Sequence, residues 1–355
     1  MKLIELHILQ SFPVSCLNRD DVGSPKTAIF GGVNRARISS QSLKRSIREF
    51  ARDHFPTARF GGMRTKLIAP LLKDALLEHG VDDTVAATQA ENIARKLPNP
   101  KATTKDSIKL PTLIFLAPSE IDAIAEQVAE LLKTNPKSKD YEKSLDKFCK
   151  KAGLIDGADI ALFGRMVANS ASLTLEGAAM FSHALSTHKA NNDLDFYTAV
   201  DELKPREEDL GAGMLGTIEF ASAVYYRYVA VNLDLLADES HLGKLSSEER
   251  QQVVDAFIRA TLMAVPGARR NSMNANTLPG YALGTYKSAG QPVQLINAFE
   301  APIRPKGGLL ESSTTALREH HEKLNETWGL TCDTEVAIPE VNLNAFCEGL
   351  IQHVV

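Results

Sequence analysis

The sequence predicts an α+β protein, on three observations. Ile4, Leu6 and Ile8 alternate with Glu5 and His7; stretches between residues 57 and 154 repeat apolar side chains at i, i+3, i+4; and residues 217–233 return to a long β-branched and aromatic run. With 355 residues, 44% hydrophobic and 24% charged, the chain has a globular composition and can bury a sizeable core. Disordered, collagen-like and coiled-coil chains are excluded by the same figures. About two domains, or one core with a large insertion, fit the length.

The elements follow in order. The N-terminal alternation has the period of a half-buried strand, and Glu5 and His7 break what would otherwise be the apolar run of a secretory signal. Residues 18–32, NRDDVGSPKTAIFGG, read as a loop by their Asn, Asp, Gly, Ser and Pro content. Gly31 and Gly32 permit a close backbone approach but lack the context of a nucleotide-binding loop. VNRARI, residues 33–38, is strand-like again and sets Arg35 and Arg37 on one face. Residues 39–54 predict a helix with Ser39 or Ser40 as N-cap. On that helix Gln41, Lys44, Arg45, Arg48 and Arg52 fall in one arc of about 100°, while Leu43, Ile47, Phe50 and Ala51 fill another.

Further on, LIAPLLKDALLEHG and EIDAIAEQVAELLK have helical spacing, separated by a polar, Pro-containing piece at 97–109. The Lys-rich stretch 135–151 has acidic neighbours and reads as a solvated face. In the long strand at 217–233, Tyr225, Tyr226, Arg227 and Tyr228 lack the glycine pattern of an RNP1 motif, so core packing of the tyrosines is the expectation. Residues 248–265 read as an amphipathic helix stopped by Pro266 and Gly267, with Arg269 and Arg270 in the loop beyond.

Four cysteines form no CxxC pair, so neither a disulfide framework nor a structural zinc site is expected, and a reducing cytosol fits best. The histidines offer no HExxH; His183 and His188, five apart, are expected on different helical faces, and His320 and His321 to point apart. No metal or cofactor is therefore anticipated. Uninterrupted apolar runs stay short of the roughly 18 residues of a membrane span. Net charge is -4, but residues 1–66 carry 12 basic and 5 acidic side chains, a balance of +7 that leaves -11 for the remainder. A local basic surface of this kind is what a polyanion senses.

Five segments carry a family resemblance: SCLNRDDVGSPKTAIFGGVNRARISSQSLKRSIR (15–48), DIALFGRMVANS (159–170), FSHALSTHKANNDLDFYTAVDE (181–202), GTIEFASAVYYRYVAVNL (216–233) and NAFEAPIRPKGG (297–308). The chain resembles the CasC family, the repeated backbone subunit of the type I-E CRISPR Cascade surveillance complex. The resemblance implies a modified RRM-like (ferredoxin-like) palm in three parts (1–56, 155–180 and 217–355), a helical fingers insertion (57–154) and a thumb (181–216). It also implies copies packed side by side along a CRISPR guide RNA in a prokaryotic cytoplasm. The expected partners are that RNA, the target DNA strand paired to it, other Cascade subunits and a recruited helicase-nuclease. By match of position, Arg19, Lys26, Ser39, Gln41, Lys44, Arg48, Arg304 and Lys306 would grip the RNA backbone. Met166 would lie against bases, and Phe196, Tyr197 and Thr198 would sit in the thumb where the strand kinks.

Physical logic runs the same way. A scaffold that holds any spacer sequence cannot read base edges, so it needs charges and hydroxyls on phosphate and sugar with apolar wedges against base faces. Two rival readings belong to other classes. A metal-dependent ribonuclease would use Asp20 and Asp21, as related backbone subunits of type III complexes use a loop carboxylate. A purely self-assembling protein would set its positive face on a neighbour's acidic surface and grow an open filament.

Overall fold

The computed structural model describes residues 1–98, 113–135, 138–167, 170–199, 214–267, 269–304 and 307–355. In chain order its elements begin with β1 (Leu3–Ser15), β2 (Thr27–Phe30), β3 (Val33–Ile38) and α1 (Ser40–His54). A helical section follows: β4 (Met63–Thr65), α2 (Ile68–Glu78), α3 (Asp83–Lys96), β5 (Ile114–Leu116), α4 (Pro118–Thr134), α5 (Leu145–Ala152) and α6 (Ala158–Phe163). The remainder comprises β6 (Ala179–Phe181), β7 (Ala184–Ser186), β8 (Asp193–Ala199), β9 (Met214–Asn232), α7 (Leu233–Leu236), α8 (Ser247–Met263), β10 (Tyr281–Lys287), α9 (Leu309–Trp328), β11 (Thr334–Ile338) and α10 (Leu343–Ile351). The α+β expectation holds in this form: a nine-stranded antiparallel sheet with helices packed on it, and a helical section that carries a separate two-stranded ribbon.

The sheet runs β11-β10-β1-β9-β7-β3-β2, with β6 and β8 also paired to β9. β9 is its spine. One edge of β9 pairs antiparallel with β1, Leu6 opposite Val229, and the other is shared in turn by β6 at Val231, β7 at Tyr226 and β8 at Phe220. A register shift lies between Phe12 and Ser15 of β1.

β1 corrects the half-buried expectation. Flanked by β9 and β10, it is covered on both faces: Ile4, Leu6 and Ile8 join the core under α1 and α8, while Leu9 packs with Tyr226, Tyr281 and Leu317 of α9. Glu5 and His7 are consequently buried. Each is satisfied: Glu5 Oε1 accepts from Tyr228 Oη at 2.7 Å and from the Val293 N–H at 2.8 Å, Glu5 pairs with Lys287, and His7 Nδ1 lies 2.9 Å from Tyr226 Oη. Buried polar groups persist where such partners exist.

Tyr225, Tyr226 and Tyr228 are buried, as core packing required. Arg227 is buried too, Nη2 donating to the Thr261 carbonyl and Nη1 to Gln10 Oε1, both at 2.5 Å, so this strand turns no cation outward at its centre. α8 opens on a capping box between Ser246 and Glu249 and stops ahead of Pro266. α2, α3, α4 and α5 surround a core of their own, with Ile68, Leu72, Ile93, Ile124, Val128 and Tyr141 at its centre. The short β4–β5 ribbon belongs to this section and sets Arg64 directly opposite Phe115. No helix among the described residues is long and apolar enough to cross a membrane.

His183 and His188 prove not to be helical. His183 lies between β6 and β7, its Nδ1 accepting the Ser40 N–H at 3.0 Å, and His188 follows β7 with Nε2 accepting from Val224 N–H at 3.3 Å.

Candidate nucleic-acid interface

α1 starts where predicted. Ser39 caps it, with Oγ accepting the Ser42 N–H at 3.3 Å and its own N–H donating to Asn18 Oδ1 at 2.8 Å, so the preceding loop and the helix start are one unit. Leu43, Ile47 and Ala51 are buried against the sheet core. The cationic arc beside them divides. Arg45 and Arg52 lie on its outer side and pair with Glu49 at 2.8 Å and Asp53 at 3.2 Å. Lys44 and Arg48, the members of the arc nearest Ile47 and Ala51, are half-buried, and among the described residues neither makes an ion pair.

Both half-buried cations rest on aromatic rings from other elements. Lys44 Nζ is 5.1 Å from the centroid of Phe181 on β6, and Arg48 Cζ is 5.1 Å from that of Phe115 on β5. Burial lowers the pKa of Lys44 below the ordinary lysine value, and burial first, with Arg64 also opposing, lowers that of Arg48 against the pull of Asp159. These are charges held partly out of water, and a phosphate oxygen placed beside them would offset the cost.

The Phe115 shelf is tied to the segment that carries Met166. Arg165, buried, donates from Nη1 to the Phe115 carbonyl at 3.1 Å and to both oxygens of Glu120 at 2.8 and 2.7 Å, and from Nε to the Leu173 carbonyl at 2.7 Å. Next to it Met166 is 85% exposed, an apolar side chain that packing in this chain does not account for. Under Arg48 lies Asp159, fully buried at the start of α6; its Oδ1 accepts the Gly62 N–H at 3.0 Å, and among the described residues Oδ2 has no hydrogen-bond partner. Burial raises the Asp159 carboxyl to about 6, with Gly62 and Arg48 working the other way.

The remaining expected contacts fall on loops around this helix. Arg19 is exposed, next to Asp20, and faces Pro25 across an isolated bridge; Lys26, half-buried, accepts the Arg37 N–H at its carbonyl at 2.8 Å. Gln41 is exposed in the first turn of α1. Arg304 is exposed at the end of a loop that the Ile303 N–H fastens to the Thr187 carbonyl at 3.0 Å. The same loop is clamped to β3 by Arg35, whose guanidinium is wholly buried and donates to the carbonyls of Phe30, Ser186, Phe299 and Glu300 at 2.7 to 3.1 Å. Lys306 lies outside the described residues. Phe196 and Tyr197 stand on β8, Phe196 71% exposed, apart from the α1 cluster, and Thr198 occupies the same strand.

Asp20 is engaged in its own turn, Oδ1 accepting the N–H groups of Val22 at 3.0 Å and Ser24 at 2.9 Å. Metal-ligand chemistry of mixed type occurs once among the described residues: ligand atoms of His321, Cys332 and Glu335 lie within 4.8 Å of one another. They sit on α9 and at β11, the edge of the sheet opposite β2 and β3, and His321 Nε2 is hydrogen-bonded to Glu335 Oε1 at 2.8 Å. Sequence reasoning passed over this group because it weighed the histidines by spacing alone. It also missed the shelves Phe115 and Phe181, for which α1 itself carries no signal.

Comparison with known proteins completes the picture. A family model described as "CT1975-like protein" matches residues 4–346. A chain of a solved "CRISPR RNA-guided surveillance complex, pre-nicking" is similar at 27% identity and a TM-score of 0.80, over 99% of this chain and 100% of that one. A chain of a second "CRISPR RNA-guided surveillance complex" shares the fold at 24% identity and a TM-score of 0.69, over 99% of each chain. No curated protein sequence matches.

Proposed function

The chain belongs to the CT1975-like family of Cas proteins, and from that premise we propose that it is a non-catalytic, RNA-binding backbone subunit of a CRISPR RNA-guided surveillance complex of type I-E. The observation that carries the reading is the pair of half-buried cations, Lys44 and Arg48, resting on aromatic shelves, without an ion-pair partner among the described residues, on the helix face that the family resemblance marks for RNA. The fit of nearly the whole chain to a subunit of such a complex supports it. In this reading an RRM-like palm (1–56, 155–180 and 217–355) grips sugar-phosphate, the fingers (57–154) and thumb (181–216) extend from it, and copies repeat along the guide. Met166 lies against bases, Phe196 and Tyr197 act where a base is displaced, and the paired target strand, the other subunits and a helicase-nuclease complete the system.

A ribonuclease centred on Asp20 and Asp21 draws less support, because the Asp20 carboxylate is already committed to two backbone N–H groups. Extraction of the nucleic acid that copurifies with the chain tests the proposal. A uniform short RNA is the expected result, and its retention should fall in Lys44→Glu and Arg48→Glu. Retention unchanged in both variants, or cleavage of labelled RNA in Mg²⁺ that depends on Asp20, overturns it.

A further inference from the structure

Arg48 is not the only guanidinium at the Phe115 ring. Arg64, on β4, is the direct cross-strand partner of Phe115 and holds Cζ 5.6 Å from the ring centroid, against 5.1 Å for Arg48. Two like charges thus share one buried aromatic side chain, and each opposes the other. Arg64 is exposed, and among the described residues it makes no ion pair. The carboxylate in this neighbourhood is that of Asp159, which is fully buried and engages the Gly62 N–H. Among the described residues its second oxygen has no hydrogen-bond partner, and neither arginine reaches it at ion-pair distance.

The close approach of β4 is built in at Gly62. A Cβ there would come within 2.6 Å of both Asp159 Oδ1 and Phe115 Cε2, so any other residue would push β4, and Arg64 two positions later, away from the ring. The backbone is therefore arranged to bring a second cation from the helical section up to the α1 face. Phe115 is buried with the two guanidinium groups over its ring, while the Arg64 side chain itself remains exposed to solvent.

We infer that Arg64 is a second anchor for the backbone of single-stranded RNA, joining Arg48 around Phe115 so that the palm helix and the fingers ribbon hold neighbouring phosphates of one strand. The inference rests on the RNA-binding reading above and extends it from α1 to β4. Occupancy by the polyanion would remove the Arg48–Arg64 repulsion and fasten the ribbon to α1. Arginine suits this place better than lysine, since its planar group stacks on the ring while its edge remains free to bond phosphate oxygens.

The test titrates the full-length chain with fluorescein-labelled single-stranded RNA of guide length at several salt concentrations. Arg64→Gln should weaken binding several-fold and reduce the logarithmic salt slope by about 0.7, the value for one phosphate on a single strand. Arg64→Lys should keep the slope. Thermal unfolding of Arg64→Gln and Arg64→Lys should stay at the wild-type midpoint, which separates lost contact from lost fold. If Arg48→Gln lowers affinity and slope while Arg64→Gln changes neither, the inference is overturned and the RNA-binding reading stands. If neither variant, nor Lys44→Gln, alters affinity or slope, the reading falls and the inference with it.

Discussion

Arg165 and Glu120 form a buried ion pair in which one guanidinium nitrogen lies 2.8 and 2.7 Å from the two carboxylate oxygens. Through it the first turn of α4, the Phe115 carbonyl and the Leu173 carbonyl converge on one side chain. Breaking a buried pair by removing one partner leaves the other charge unpaired and typically costs about 3–5 kcal/mol. Arg165→Met should therefore lower the urea midpoint markedly and disturb the segment bearing Met166. Glu120→Gln, which leaves the guanidinium its two carbonyl acceptors, should cost less. Equal and small losses in the two variants would show that the pair does not hold these elements together.

Lys44 and Arg45 are adjacent on α1 yet differ in consequence. Arg45 is an exposed i,i+4 partner of Glu49, a kind of pair worth about 0.3–0.5 kcal/mol. Lys44 is a half-buried cation above Phe181. Lys44→Ala should reduce RNA affinity and lower the salt slope by about 0.7, whereas Arg45→Ala should move both little. Binding titrations at two or more salt concentrations distinguish them, and a larger effect at Arg45 would refute the division of the arc.

Asp159 predicts a pH dependence of definite sign. Its carboxyl is raised by burial to about 6 in the folded chain, against an ordinary 3.8, so the folded state holds the proton more tightly between about pH 4 and 6. Stability from this group therefore falls as pH rises through that window, and the full penalty applies above it. Asp159→Asn should stabilise the protein at pH 8, on the order of 3 kcal/mol, with the gain shrinking toward pH 4. Urea denaturation at the two pH values checks it; a gain that grew on acidification would contradict the assignment.

His7 acts in the opposite direction. Burial, then the charges of His321 and Lys287, depress it from 6.5 to about 3, so the unfolded chain takes up a proton first as pH falls. Its contribution to stability is complete above pH 6.5 and is lost progressively from there down to about 3. A variant without the imidazole, His7→Gln, should be less stable than wild type at pH 8 through the lost Tyr226 contact but should decline less steeply on acidification. Parallel decline in the two proteins would exclude His7 as the source.

Phe196 is predicted to matter for nucleic acid and not for folding. At 71% exposure its truncation to alanine should leave the unfolding free energy within about 0.5 kcal/mol of wild type. Fluorescence of 2-aminopurine placed along a bound guide should report less unstacking in Phe196→Ala if this ring displaces bases. Gly216→Ala provides an independent route, since a Cβ there would collide with the Tyr197 ring across the β8–β9 pair.

Local periodicity made the fold legible where an element has one dry face. The stripe Leu43, Ile47, Ala51 marked α1, and Ser39 marked its start. It misled where an element is covered twice: β1 alternates like a surface strand because Glu5 and His7 are polar, yet their partners Tyr228, Lys287 and Tyr226 arrive from positions more than 200 residues away. The candidate site divided along the same line. α1 displayed its cations in one helical arc, but which of them are half-buried against a ring depends on Phe181 and Phe115, brought in by β6 and β5. Arg35 looked like one more surface charge on a strand, and only the carbonyls of Phe299 and Glu300 reveal it as a clamp.

β9 has a mechanical consequence. Nineteen residues at about 3.3 Å each give an unbroken strand of roughly 60 Å that is locked at one end between β1 and β6 and at the other carries β8 with Phe196. The register shift between Phe12 and Ser15 falls where pairing of β9 with β1 gives way to pairing with β8, so the Phe196 end is a two-stranded ribbon that can bend there against the wider sheet. The opposite end is held by the ladder between Leu3 and Phe12, whose residues are almost all buried, so movement at Phe196 is decoupled from the centre of the sheet.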